Sequence, residues 1–170
     1  YLSLAALPVR VGPPVVTPPL RGDDGVLLLR TSGSTGAPKR VCFTLAKLMR
    51  AGAGIAQSLA LSSDDLGLSM LPLHHVGGIS CNVVAPVLAG GQLRFSSAFD
   101  PKEFFEALAG PQGATWCYLV PAMWELVLGY AKDHPELSVT RPWPRLRVIR
   151  SAGAALPDTV AKELEGLFGD

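Results

Sequence analysis

Strand-length apolar runs that recur between helix-length stretches set the tightest limit on how this chain can fold. Residues 26–29, 41–43, 66–71, 114–120 and 146–149 are such runs, 92–95 after Gly90-Gly91 reads as a further strand, and the continuous aliphatic 26–29 and the run 66–71 read as buried strands. Helical signals lie between them. Thr44 can cap a helix reaching about residue 61, with Leu45, Leu48, Met49, Ile55, Ala56 and Leu59 on one face. Gly52 and Gly54 either weaken that helix or let a neighbour pack closely against it. An apolar helix ends near residue 89, and Asp100-Pro101 occupy the cap and first-turn positions of another whose inner face is Phe104, Phe105 and Leu108. Further helices run from Pro121 to about Tyr130 and from about Pro157 to Phe168, while 132–144 reads as a polar loop. This alternation predicts an α/β fold with a mostly parallel sheet and helices on both faces.

The stretch that carries chemistry is 31–40, TSGSTGAPKR, set between the first two strand-like runs. Six of its first seven residues, Thr31, Ser32, Gly33, Ser34, Thr35 and Gly36, are hydroxyl-bearing or glycine, and it closes on Pro38 and Lys39. Glycines let successive N–H groups converge on one point, hydroxyls add donors and the lysine adds mobile positive charge, which together make an anion cradle suited to a polyphosphate. A loop rich in these residues can also bind nothing. The P-loop pattern is excluded by spacing, because only Ser34 and Thr35 separate Gly33 from Gly36 and Pro38 precedes Lys39.

Composition narrows the classes further. Hydrophobic residues make up 48% and charged residues 17% of the chain, so much apolar surface is expected to be covered. A formal charge of +1 without a basic cluster argues against nucleic acid as a partner. Cys42, Cys81 and Cys117 lack metal-ligand spacing and read as buried reduced thiols of an intracellular protein; no metal site is expected. Residues 66–93 contain no Asp, Glu, Lys or Arg, but their prolines, glycines and histidines suit a strand, a turn and a buried helix rather than a membrane span. Five prolines between residues 8 and 19 mark residues 1–25 as an extended connector, and the Arg-Gly-Asp triplet ending at Asp23 reads as a turn.

Two more segments follow strands, where ligands of parallel α/β sheets collect. His74 and His75 precede Gly77-Gly78; on a strand they would face opposite ways and would not chelate one metal together. A histidine satisfied by backbone in a tight turn is the structural alternative. The second segment is RSAGAALP, residues 150–157, whose small residues let a flat ring approach the backbone.

These residues resemble the adenylate-forming superfamily of acyl-CoA synthetases, aryl-CoA ligases, luciferases and peptide-synthetase adenylation domains. TSGSTGAPKRV is similar to that family's phosphate loop, with Arg40 in place of its last glycine. LPLHHVGG resembles its Leu-Pro-x-Phe-His-x-x-Gly motif, with His74 in the aromatic place, and SAGAAL resembles its Ser-Gly-Gly-Ala-Pro-Leu segment. The resemblance spans 21–170 and is nearest to small-acid CoA ligases similar to oxalate-CoA ligase. It implies ATP with Mg2+ held through the phosphates, and coenzyme A or carrier-bound phosphopantetheine as thiol acceptor. A carboxylate would be activated to an acyl-adenylate with release of pyrophosphate. Thr31 to Gly36 would hold the β- and γ-phosphates and Lys39 would neutralise charge. His75 would position substrate, Gly78 would leave it room, Ser151 would line its pocket, and Gly153 with Ala154 would flank adenine.

The family's Tyr-Gly-x-Thr-Glu motif, ribose-binding Asp and catalytic C-terminal Lys do not occur in the 170 residues. Residues 26–170 are therefore expected to be an incomplete adenylation domain, inactive by itself, whose partners are a small carboxylic acid and the rest of its own chain, joined by a carrier protein in the loading-module alternative, where that carrier takes the product. That alternative places the domain in a peptide or polyketide synthase, and a non-catalytic nucleotide-binding remnant is the third reading. A cytoplasmic location is expected, with the peroxisome as the alternative.

Overall fold

The computed structural model describes residues 19–30, 39–140 and 142–169. Two sheets organise them. β1 (Gly25–Arg30) and β2 (Arg40–Thr44) form an antiparallel pair. β3 (Leu66–Ser69), β4 (Gln92–Phe95), β5 (Trp116–Leu119) and β6 (Val148–Ser151) form a parallel sheet in the order β4-β3-β5-β6. The central β5, WCYL, is buried along its whole length, as a strand covered on both faces must be.

Alternation along β5 divides the core into two. Cys117 and Leu119 join Leu68 and Met70 on one face, beneath α4 (Pro101–Leu108), α5 (Pro121–Asp133) and α7 (Asp158–Phe168). Phe104, Phe105, Trp124, Trp143 and Phe168 interlock there, with Phe104 edge-on to Trp124 at 5.8 Å. Trp116 and Tyr118 face the other way, against Cys81 and the half-buried Ile55, Leu59 and Leu61. That second face is covered by α1 (Leu45–Ser58) and by a helical stretch made of α2 (Val76–Ile79), a π-helical turn (Ser80–Val84) and α3 (Ala85–Leu88). Helices thus cover both faces, as the alternation of runs predicts.

α1 begins where expected: the Thr44 hydroxyl accepts from the Lys47 N–H. Its two glycines differ. A Cβ on buried Gly52 would lie 2.5 Å from Val84, so Gly52 serves close helix packing, whereas Gly54 has nothing within 4 Å. Asp100 caps α4 by accepting from the Lys102 N–H at 2.8 Å, with Pro101 at the first position.

Several expectations need correction. The run 26–29 is a strand but not a buried one: Val26 and Leu28 are exposed, because among the described residues β1 pairs only with β2 and lies outside the parallel sheet. Cys42 is likewise exposed on β2, while Cys81 and Cys117 are buried, and all three are free. The loop 132–144 contains α6 (Glu136–Thr140). β6 begins at Val148 rather than residue 146, since Leu146 donates to the Trp143 carbonyl in a turn. The connector 1–25 lies largely outside the described residues.

Candidate active site

The strand order places a topological switch between β3 and β5. The chain leaving β3 crosses the Trp116 face to reach β4, and the chain leaving β5 crosses the Phe104 face to reach β6. Divergence of that kind opens a crevice at the carboxyl ends of the strands, the usual ligand position in such sheets. The His75 turn follows β3 and the Gly153 turn follows β6, so both stand at this edge.

His74 and His75 lie in a turn rather than on a strand, which corrects the expectation of opposite faces: their ring centroids are 4.3 Å apart with planes inclined by 44°. Both are exposed. The His75 N–H donates to the Pro72 carbonyl at 3.3 Å, and its own carbonyl accepts from Ile79. His75 is the N-cap residue of α2, yet its side chain makes no capping bond. The imidazole is therefore exposed and takes no part in the cap, and only the backbone is used by the turn. Among the described residues no group of three or more His, Cys, Asp or Glu could hold a metal ion.

Gly78 packs within its own turn. It is buried, and a Cβ there would lie 2.5 Å from the Pro72 carbonyl oxygen. Its missing side chain lets the turn close on itself. Gly153 has φ +95°, a conformation that favours glycine, and a Cβ would approach Val120 at 3.3 Å. Ala154 follows it, exposed.

Tyr118, not singled out in the sequence, joins the two turns. A Cβ on Gly77 would lie 2.9 Å from its hydroxyl oxygen and one on Gly153 would lie 3.8 Å from it. Arg150, the register partner of Tyr118, stands with its guanidinium carbon 5.7 Å from the Tyr118 ring centroid. Burial pushes the Tyr118 phenol up, Cys81 adds to this and Arg150 opposes it. Burial also raises the Cys81 thiol to about 11, against the pull of Arg150, so this thiol stays protonated near neutrality. The hydroxyl of Ser151 belongs to the opposite face. It helps line a cleft of about 370 Å³ with Trp124, Ile149, Leu156 and Leu164, so the structure does not bring it to His75. Alternation explains the split: Arg150 and Ser151 are neighbours on one strand and point apart. The sequence carried no signal for this pair, because the register that sets Tyr118 beside Arg150 comes from the fold.

Thr31, Ser32, Gly33, Ser34, Thr35 and Gly36 lie outside the described residues. Their flanks do not: Arg30 and Arg40 are register partners, so the segment between them starts and ends on adjacent strands. Lys39 is exposed at the start of β2, next to Arg40. Three cations thus stand at the mouth of the expected phosphate loop.

The family model described as AMP-binding enzyme matches residues 3–170. A sulfoacetate–CoA ligase of Cupriavidus necator is 32% identical over 98% of the chain, and an oxalate–CoA ligase of Arabidopsis thaliana is 33% identical over 86%. The chain spans 31% and 28% of the lengths of these two relatives. Among solved structures, a malonyl-CoA ligase complexed with methylmalonyl-CoA and AMP superposes with a TM-score of 0.78 at 27% identity, over 88% of this chain and 32% of that one.

Proposed function

Because this chain belongs to the AMP-binding enzyme family, we propose that it serves ATP-dependent activation of a small carboxylic acid that carries a second acidic group, followed by thioester formation on coenzyme A. The family sets the reaction, and the relatives named for sulfoacetate, oxalate and malonyl-CoA support the acid class and the acceptor. The observation that carries the reading is the meeting of the His75 and Gly153 turns on Tyr118 at the switch point of the sheet.

In the proposed reaction a carboxylate oxygen attacks the α-phosphorus of ATP and the bond to pyrophosphate breaks; the thiol of coenzyme A then attacks the acyl carbonyl and AMP leaves. Positioning and charge stabilisation supply most of the acceleration in such phosphorus chemistry. Residues Thr31 to Gly36 would donate to the β- and γ-phosphates, with Lys39 offsetting their charge. The exposed imidazole of His75 would orient the acid, and the Gly153–Ala154 backbone would pass beside adenine. The cationic mouth of the loop fits a triphosphate, and Mg2+ would enter as its companion.

Carboxylate-dependent exchange of labelled pyrophosphate into ATP by the intact enzyme tests this. Lys39→Ala should lower the exchange about 100-fold, the loss typical of one charge-stabilising donor, with the melting temperature unchanged. Exchange at the parent rate would remove Lys39 from the mechanism, and no exchange by the parent with any small acid would remove the reaction itself.

A further inference from the structure

We infer that Arg150 is the receptor for the second anionic group of the acid, and so the residue that makes the enzyme prefer dianionic over monoanionic substrates. This deepens the function proposed above and rests on it.

The other arginines anchored at the parallel sheet are satisfied by the protein. Arg147 donates from Nε and Nη2 to the Asp65 carboxylate at 2.8 and 2.6 Å, and to the Leu59 and Ala60 carbonyls. Arg94 donates to the Ala107 and Gln112 carbonyls. Among the described residues Arg150 makes no such bond. Its Nε is buried without a hydrogen-bond partner. The ion pairs among the described residues are Lys102–Glu106, Lys132–Glu163 and Arg147–Asp65, none of which involves it. A guanidinium has five donors and cannot discharge by losing its proton. Taking part of it out of water without an anion is costly, so the place is tolerable chiefly where a ligand supplies the missing charge.

Its surroundings fit an incoming anion. The Tyr118 ring lies beside the guanidinium, 5.7 Å from ring centroid to guanidinium carbon, and the two residues are register partners on one face of the sheet. Ser69 lies one step beyond the Leu68–Cys117 register pair, which puts it beside Tyr118; it is 2% exposed and its hydroxyl has no partner. Ser69, Tyr118 and Arg150 thus form a row across three strands at their carboxyl ends, and Gly77 of the His75 turn stands over its middle. A planar fork of donors flanked by hydroxyls matches a carboxylate bidentately and a sulfonate almost as well. An acid held there by its second group would leave its first beside His75.

The test uses the intact enzyme and acids of matched length: malonate and sulfoacetate against propionate. In pyrophosphate exchange, Arg150→Gln should raise KM for both dianionic acids 30- to 100-fold, leave KM for ATP within twofold and leave or improve turnover of propionate. Arg150→Lys should retain part of the preference, because a point charge replaces a fork. Equal losses on dianionic and monoanionic acids, or an unchanged preference in Arg150→Gln, would overturn the assignment. If Arg150→Gln does not fold, Arg150→Lys carries the test, and a parent-like selectivity there would overturn it. A parent enzyme that activates acids but shows no preference for dianions would sink the inference alone. A parent that activates none would sink the underlying function with it.

Discussion

A methyl group added to Gly78 would stand 2.5 Å from the Pro72 carbonyl oxygen, an atom of the backbone that cannot swing aside. Gly78→Ala should therefore destabilise the fold by about 2 kcal/mol, the scale of overpacking at a tight site, measurable as a lowered urea midpoint at constant slope. Only the folded turn shows which atom faces the missing side chain of Gly78. Gly153 has a φ of +95°, which explains in one residue why a small-residue turn follows β6. Tyr118 and Arg150 were not legible at this scale. One sits inside the apolar run 114–120 and the other at the edge of RSAGAALP, and a side chain's type does not disclose whether it finds a partner.

Elements fixed by neighbouring residues were legible. Asp100 with Pro101 announces the start of α4, and the Asp100 carboxylate does accept from the Lys102 N–H. Asp100→Ala should cost about 1 kcal/mol, as the loss of an N-cap does, seen as a lower melting temperature, while Asp100→Asn should cost much less. The helical stretch following His75 was expected as a helix, but its π turn at Ser80–Val84 was not. Such a turn accommodates one extra residue, and it leaves Asn82 fully buried with neither amide atom partnered. β1 and β2 show the other limit. Their apolar runs identify strands, yet which strand pairs with which depends on how distant parts of the chain meet, and these two pair with each other alone.

Across the whole molecule the two ends of the parallel sheet have separate duties. The His75 and Gly153 turns stand at the carboxyl ends, while Asp65 stitches the amino ends together. Its carboxylate accepts from the Ser62 N–H, the Thr115 hydroxyl and the Arg147 guanidinium, linking the approaches to β3, β5 and β6. Burial pushes this carboxyl up, but the hydrogen bonds from Arg147, Thr115 and Ser62 outweigh it and hold it well below the usual carboxylate range. A carboxyl whose folded pKa is depressed stabilises the fold above its unfolded pKa, about 3.9, and that contribution fades as pH falls toward the folded value. Asp65→Asn should thus cost roughly 2–3 kcal/mol at pH 7, allowing for the partial exposure of Arg147. Denaturant titrations from pH 7 to pH 3 should show a shallower loss of stability in the variant than in the parent; parallel curves would deny Asp65 this role. The sequence by itself determined the order of strands and helices, the caps and the motifs, because each depends on residues close together in the chain. Tertiary structure alone decided the strand order, the depth of β1, the union of two turns on Tyr118 and the contrast between Arg147, paired with Asp65, and Arg150, whose Nε has no partner among the described residues, because those depend on contacts between residues far apart in the chain, which local periodicity does not encode.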